Sequence, residues 1–188
     1  MGYPEMMQDI TEQVRRQEFK IKREALKNYP IIDEITGLYN DKYLHVRLDE
    51  EMARAKHYRR QLSFIMLELG CPEKLDTTIE NLDKVLKEIS DIIHSCIRYD
   101  IDLAFRSRDD SFAIILPEVN VHHADAIAQS IEQHIQKEKM GNIIMHVGVV
   151  QYDCHDHAED LIRSADDALR KDKKESKKIR AAGSLTLP

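Results

Sequence analysis

The middle of the chain carries the stretch Leu103-Ala-Phe-Arg-Ser-Arg-Asp-Asp-Ser-Phe-Ala-Ile-Ile-Leu-Pro117. Two short apolar segments, 103–105 and 112–116, flank the polar residues Arg108 to Ser111. Aromatic and branched side chains favour strands. Asp and Ser favour tight turns because their side chains bind the nearby backbone. The pattern predicts a β-hairpin at the centre of the fold, with these four polar residues at its turn.

A second motif, Asp33-Glu-Ile-Thr-Gly-Leu-Tyr-Asn40, lies upstream of a helical pattern. Gly37 permits a tight turn, and Asn40 can cap the following helix by accepting a backbone N–H. Apolar residues then recur at helical spacing and predict a helix over 41–59 with one buried face. These residues are Leu44, Leu48, Met52 and Ala55.

The remaining apolar patterns alternate between strand and helix. Continuous apolar runs predict strands over 63–69 and 142–150, and helical spacing predicts helices over 79–97, 121–135 and 158–174. Thr77 and Glu80 have the spacing of a capping box before the first of these helices, and Asn120 can cap the second. The sequence therefore predicts an α/β domain.

Composition narrows the class of protein. The 188 residues suit one domain with a short extension. We expect neither a membrane span nor export, because no apolar run approaches the roughly 18 residues that cross a bilayer and the start lacks a signal pattern. Three cysteines at unrelated spacings fit the reducing cytoplasm. A net charge of −6 argues against nucleic acid as a partner.

Residues 6–28 predict one charged helix with a thin apolar seam. Its apolar positions lie near the spacing of a coiled coil: Met7, Ile10, Val14, Ile21 and Ala25. Such a seam is too narrow to fold alone. The helix therefore pairs with a second copy, which would make a homodimer, or packs on the domain. We assign residues 1–29 to this helix, since Pro30 disfavours helical geometry before it.

These motifs together resemble the GGDEF family, the catalytic module of bacterial diguanylate cyclases. The hairpin resembles the signature Arg-x-Gly-Gly-Asp-Glu-Phe-Ala, and residues 33–40 resemble Asp-x-Leu-Thr-Gly-Leu-x-Asn. Gly148 matches a glycine of the family's last strand, and Ala165-Asp-Asp-Ala-Leu169 resembles part of its last helix. The resemblance covers residues 30–178 and leaves 179–188 as a tail.

The resemblance implies the family's α/β fold, which is similar to the palm of nucleotide cyclases. We expect a mostly antiparallel central sheet of about five strands, covered by helices, with the N-terminal helix projecting from it. The role of such a helix in the family, which links sensors to cyclases and carries dimer contacts, favours a signalling function.

The signature itself is degenerate. Four of its positions match, namely Arg106, Asp110, Phe112 and Ala113. Arg108 and Asp109 stand where the family has two glycines, and Ser111 replaces the glutamate. Side chains in place of the glycines would meet a bound nucleotide, and the charge of Asp109 would repel phosphate. Phosphoryl transfer depends on positioning and charge stabilisation, so we expect no catalysis.

The metal site implied by the family is altered as well. Its strand ends in Asp-x-Asp, and the first Asp binds magnesium; Glu68 and Gly70 occupy these two positions. Glu68 and Asp110 remain as candidate magnesium ligands, although glutamate is one methylene longer and magnesium demands near-octahedral geometry. We therefore expect no cofactor, except magnesium if GTP binding is retained.

Other positions assign nucleotide contacts by resemblance. Asp83 matches the residue that contacts guanine, Lys173 the phosphate-binding lysine, and Lys177 an arginine four positions later in the same motif. His146 replaces a serine, and Asp172 replaces an alanine. We expect weakened guanine recognition, with some nucleotide binding through the retained residues as the alternative.

Many family members have an inhibitory site, Arg-x-x-Asp, at which cyclic di-GMP docks. Counting back from Arg106 places Asp102 at the Asp position and Tyr99 at the Arg position, whereas Arg98 is one residue early. Tyr99 could stack on a base instead. An ordinary ion pair between Arg98 and Asp102 is the alternative.

Two histidine-containing runs invite a metal site, at 122–123 and at 154–157. Neither run has the spacing of a zinc site, and we expect surface residues there. The sequence therefore predicts a bacterial cytoplasmic signalling module that is not an enzyme and docks a protein partner. A receptor for cyclic di-GMP or GTP is the first alternative, and a weak cyclase is the second.

Overall fold

The structure is a computed structural model of the chain. It describes residues 14, 17, 21, 24, 30–70, 79–138, 143–153 and 157–183, with the backbone alone for 79–81 and 177–183. The chain divides into two units, residues 1–31 and 32–188. In the first unit the described residues Val14, Gln17, Ile21 and Glu24 are helical and exposed.

The second unit has the predicted alternation of strands and helices. Its described elements are β1 (Tyr39–Asn40), α1 (Asp41–Tyr58), β2 (Leu62–Gly70), α2 (Ile79–Cys96), β3 (Leu103–Arg108), β4 (Ser111–Pro117), α3 (Val121–Lys137), β5 (Ile144–Gln151) and α4 (Ala158–Gly183). Among these helices, none combines the length and the apolar content needed to span a membrane.

The strands form one sheet in the order β1-β3-β4-β2-β5. The short β1 is parallel to β3, and the other neighbours are antiparallel. The predicted fold, a mostly antiparallel five-stranded sheet covered by helices, is confirmed.

The central hairpin differs from its prediction in one detail. The strands extend to Arg108 and from Ser111, so Asp109 and Asp110 alone form the turn. A register shift between Arg106 and Arg108 places a bulge at Ser107. The bulge inserts one extra residue of β3 between the pairs Arg106–Phe112 and Arg108–Ser111, so the polar residues 107–108 continue the strand.

Alternating residues of the strands send side chains to two separate cores, because successive strand residues face opposite sides. Ile65 and Leu67 face α2 and α3, whereas Phe64 and Met66 face α1 and α4. Fully burying one such side chain stabilises a fold by roughly 1.5–3 kcal/mol. Both faces of the sheet are therefore covered, and polar residues gather at the strand ends.

The motif at residues 33–38, here called the Asp33 turn, is held by local contacts. Asp33 Oδ1 accepts hydrogen bonds from Thr36 N at 2.9 Å and Thr36 Oγ1 at 2.7 Å. Gly37 has φ +72, a left-handed conformation that glycine adopts at little cost. Asn40 then caps α1 by accepting from Tyr43 N, and the predicted cap is confirmed.

The last helix lies directly on the backbone of β5. A Cβ added at Gly148 would come within 2.3 Å of Ala165 O and 2.8 Å of Leu169 N. The glycine is therefore needed for this close packing. The helix continues to Gly183, beyond the predicted end near Lys174, since its final residues are good helix formers although its buried apolar stripe ends at Leu169.

Candidate functional site

Polar side chains from three strand ends and from α4 gather beside the hairpin turn. Glu68 lies opposite Ser111 on β4 and opposite His146 on β5, so the three side chains share one face of the sheet. That face is the one covered by α4. We define the hairpin-end cluster as Glu68, Asp110, Ser111, His146, Asp172 and Lys173.

A cation from α4 meets the carboxylate at the end of β2. Lys173 Nζ donates a hydrogen bond to Glu68 Oε1, and both side chains are partly exposed. The two residues are 105 positions apart in the chain. The predicted phosphate-binding lysine and the predicted metal ligand therefore lie together.

The turn residue Asp110 is fixed against the same strand end. Its carbonyl oxygen accepts a hydrogen bond from Leu69 N at 3.0 Å. Its carboxylate Oδ1 accepts from the hydroxyl of Ser111 at 3.2 Å, and Ser111 is buried. Ser111 thus binds its neighbour's carboxylate and lies opposite Glu68 in the pairing of β4 with β2.

Arg108 and Asp109, which occupy the glycine positions of the signature, are exposed, and both take part in hydrogen bonds. Arg108 donates from Nη2 to Asp166 Oδ2 on α4 at 3.1 Å. The backbone oxygen of Asp109 accepts from Arg106 Nη2 at 3.0 Å. The side chain of Arg108 therefore contacts α4, and Asp109 lies at the exposed tip of the turn.

Arg106 connects the hairpin to the Asp33 turn. Its Nη1 atom lies 3.3 Å from both carboxylate oxygens of Asp33. Burial disfavours the charged form of Asp33, but the Thr36 hydrogen bonds and the charge of Arg106 outweigh it and hold the pKa of Asp33 below its usual value. The two stretches that carried the family resemblance are thus in direct contact.

Three departures from the family pattern meet at the end of β5. His146 Nδ1 lies 2.9 Å from Asp172 Oδ2, and an ionised carboxylate only accepts, so Nδ1 carries the proton. A Cβ added at Gly70 would lie 2.8 Å from His146 Nε2. In the sequence these three departures stand at separate positions, and nothing there indicates that the residues lie close together in the fold.

A further carboxylate, Glu132 on α3, lies near this pair. Partial burial and the charge of Asp172 raise the pKa of Glu132, and His146 opposes the shift. No pattern in the sequence pointed to Glu132. Its position follows from β5 being an edge strand that both α3 and α4 contact.

The structure divides the residues of the predicted inhibitory site. Arg98 donates to Asp102 through Nη2 at 2.6 Å and through Nε at 3.1 Å, and Nη2 also donates to Pro117 O at 2.7 Å. The hydrogen bond to Asp102 raises the pKa of Arg98. Asp102 is buried, Tyr99 is 87% exposed, and Arg106 binds Asp33 instead. These contacts fit the alternative interpretation, which is an ion pair between Arg98 and Asp102 with Asp102 inside the fold.

Of the two other predicted nucleotide contacts, one lies away from the hairpin-end cluster and the other has a side chain outside the described residues. Asp83 is on α2, which covers the opposite face of the sheet, and among the described residues no hydrogen bond joins it to Glu68, Asp110 or Lys173. The side chain of Lys177 lies outside the described residues, as do Thr77 and residues 154–156. His122 and His123 are exposed at the start of α3, as predicted.

Magnesium is the metal that the family resemblance implies for this cluster. Within the described ranges, no group of three or more His, Cys, Asp or Glu side chains could hold a metal by itself. Magnesium is usually held by one or two carboxylates together with substrate phosphates. Glu68 at the end of β2 and Asp110 in the hairpin turn are carboxylates of this chemical type.

Comparison with known proteins now decides the family. The sequence profile described as "Diguanylate cyclase, GGDEF domain" matches residues 30–178. The chain belongs to the GGDEF family. The family predicted from the motifs is confirmed, whereas degeneracy as a property of function stays a prediction.

Individual relatives agree with this assignment. The chain is 32% identical over 145 residues to the diguanylate cyclase DgcS of Shewanella oneidensis, covering 74% of this chain and 48% of that protein. The chain spans about half the length of the curated relatives it matches.

Two solved structures share the fold. The GGDEF domain of DgcB from Caulobacter crescentus, in complex with c-di-GMP, has a TM-score of 0.67 at 18% identity, covering 78% of this chain and 89% of that one. The diguanylate cyclase SiaD of Pseudomonas aeruginosa, in complex with its activator SiaC, has a TM-score of 0.66 at 24% identity, covering 91% of this chain and 68% of that one.

These findings correct one prediction. The expectation that the chain is not an enzyme is wrong on this comparison, because the family is that of the diguanylate cyclases and the Shewanella relative is named as one. The altered signature residues had suggested the opposite. Altered residue types alone did not reveal that Lys173 still contacts the Glu68 carboxylate beside the hairpin turn.

Proposed function

We propose that the domain binds a guanine nucleotide with magnesium at the hairpin-end cluster and serves cyclic di-GMP signalling as a diguanylate cyclase-type module. The observation that carries the proposal is the contact between Lys173 and Glu68 beside Asp110. A cation for phosphate and carboxylates for magnesium are the groups that phosphoryl-transfer sites use.

Each residue of the cluster has a role in this proposal. Glu68 would hold the metal and Lys173 would bind a phosphate oxygen, so neither charge would be left unpaired when their mutual contact opens. Asp110 supplies the second carboxylate from a turn fixed to β2. Bound magnesium would neutralise charge on the phosphate oxygens. Arg106 holds the turn in place through Asp33.

Thermal unfolding with a ligand series tests the proposal. Samples contain GTP with magnesium, cyclic di-GMP, ATP with magnesium, or no nucleotide, and the GTP sample is assayed for cyclic di-GMP formation. A ligand at about one hundred times its dissociation constant adds roughly 2.7 kcal/mol, which raises the Tm of a chain of this size by about 5–10 °C. We expect this shift with GTP and magnesium and not with ATP.

A pair of lysine variants locates the site. Lys173→Ala should abolish most of the shift with GTP, whereas Lys171→Ala, an exposed lysine on the same helix, should retain it. Equal shifts in both variants would remove the hairpin-end cluster from the proposal. No shift with any guanine nucleotide in the unaltered chain would contradict nucleotide binding itself.

A second function, self-association through the N-terminal helix, is supported by a separate observation. Val14 and Ile21 are helical, exposed and seven positions apart (14 to 21), which is coiled-coil spacing. The activator complex of SiaD offers a parallel for protein partners in this family. Light scattering tests it: we expect a dimer that Val14→Asp with Ile21→Asp dissociates and Glu24→Gln leaves intact. A monomeric unaltered chain would contradict this second function.

The cytoplasmic location stays a prediction.

A further inference from the structure

The turn of α4 that carries Lys173 is attached to the sheet by an unusual set of polar contacts. Asp172 Oδ2 accepts from His146 Nδ1 at 2.9 Å and lies 3.4 Å from Val147 N, so one carboxylate oxygen contacts both a side chain and the backbone of β5. The next residue, Lys173, donates to Glu68 on β2. Consecutive residues of the helix thus bind two neighbouring strands.

The two strand residues that receive these contacts are themselves partners. Glu68 and His146 lie directly opposite each other in the antiparallel pairing of β2 with β5. Asp172 therefore binds one member of a cross-strand pair, and Lys173 binds the other. Both contacts join compatible groups, because the Asp172 carboxylate contacts the His146 imidazole and the Lys173 ammonium contacts the Glu68 carboxylate.

Apolar packing contributes little to this part of the helix. The buried apolar residues of α4 end at Leu169, and between 170 and 176 the described side chains are exposed or partly exposed. The direction in which Lys173 extends is therefore set by the neighbouring polar contacts. Of the two strand partners, the one that Asp172 contacts is the less exposed, since the His146 side chain is only 11% exposed.

The absence of a side chain at Gly70 is what makes room for the imidazole. A Cβ there would lie 2.8 Å from Nε2 and 3.1 Å from Cδ2 of His146, and its next contact is the backbone oxygen of Ile144 at 3.3 Å. Real Cβ contacts are rarely so short, so the ring would have to move. The His146 ring thus packs on Gly70 near Nε2 and contacts Asp172 through Nδ1.

We infer that Asp172 and His146 are positioning residues for the nucleotide site: they hold the last described turns of α4 on β5 so that Lys173 reaches Glu68. The inference relies on the proposed function only for its ligand readout. Neither residue is required to contact the nucleotide. Their effect on binding passes through Lys173.

A double-mutant cycle with ligand tests this. Asp172→Ala should weaken binding of GTP with magnesium about fivefold, and Asp172→Asn, which keeps an acceptor for Nδ1, should weaken it much less. In the Lys173→Ala background, Asp172→Ala should have no further effect, since coupled residues are not additive. Asp167→Ala, an exposed aspartate on the same helix, is the matched control and should not change the affinity. A fivefold loss that persists without Lys173, or unchanged affinity of Asp172→Ala, would overturn the inference.

A cycle without ligand separates this inference from the proposed function. Each of Asp172→Ala and Lys173→Ala should lower the Tm by about 2–4 °C, and the double variant should lose less than the sum. Gly70→Ala should lower the Tm of the unaltered chain and lower it much less beside His146→Ala. Additive losses, or an equal effect of Gly70→Ala in both backgrounds, would overturn the inference even if GTP binds. If the cycle is non-additive and GTP does not bind, only the proposed function fails.

Discussion

The Asp33 turn and the hairpin-end cluster are both polar networks, but they are built over different distances along the chain. In the Asp33 turn, the hydrogen bonds from Thr36 join residues three positions apart. In the hairpin-end cluster, the two pairs that α4 makes with the sheet are 26 and 105 positions apart. The first network shapes its own backbone, whereas the second exists only after β2, β5 and α4 have packed. We therefore expect different substitutions to disrupt the local network and the long-range network.

The largest effect should come from Gly148→Ala, which attacks the packing that the hairpin-end cluster depends on. The added Cβ meets the backbone of α4 at Ala165 and Leu169, so the helix must move from β5. We expect a loss of about 3 kcal/mol or more in the free energy of unfolding, measured by urea denaturation. GTP binding should fall with it, because Lys173 moves with the helix. A loss below 1 kcal/mol would contradict this view of the packing.

Asp33→Ala should break the local network. It removes the acceptor of two Thr36 hydrogen bonds and the partner of Arg106, and we expect a loss of about 2 kcal/mol in urea denaturation.

The pH dependence sharpens this prediction. Because folding lowers the pKa of Asp33, its ionic contribution is present above the unfolded value of 3.8 and is lost as the pH falls through the folded-state pKa. Asp33→Asn keeps an acceptor for Thr36 but has no charge, so its deficit should shrink over that acidic range. A deficit independent of pH would contradict a role for the charge.

Gly37→Ala should have a smaller effect, since its cost is conformational. No atom lies within 4 Å of the added Cβ, but φ is +72, which costs a residue with a side chain about 1–2 kcal/mol. Gly37→Asn should lose less, because Asn tolerates this region. Thermal unfolding of the two variants checks the order, and equal losses would contradict it.

The smallest effect should be a gain. Because partial burial and Asp172 raise the pKa of Glu132, the stabilisation due to its protonation is complete below 4.5 and is lost as the pH rises through the folded-state pKa. At neutral pH the ionised carboxylate is therefore a penalty near Asp172. Glu132→Gln should raise the Tm by about 1–2 °C at pH 7, with no gain below pH 4. A lower Tm at pH 7 would mean that Glu132 stabilises His146 instead.

Much of the fold could be predicted from the sequence because its determinants are local. The strand-forming runs around residues 108–111, the caps at Asn40 and Asn120 and the helical spacing of α1 each depend on residues a few positions apart. The motifs of the Asp33 turn and the hairpin indicated the family, which the comparison confirmed. The turn length was misjudged because a bulge cannot be inferred from residue types.

The functional site was predicted only in part, for a physical reason. Glu68, Asp110 and Lys173 were identified as separate candidates, but side chains at 68 and 173 have no common pattern until the sheet brings β2 under α4. Gly70, His146 and Asp172 each departed from the family pattern, and only the tertiary structure places them in contact. The sequence by itself determined the strands, helices and turns, since those depend on local backbone preferences and hydrophobic periodicity. The tertiary structure decided which charges meet, because that depends on strand register and helix packing.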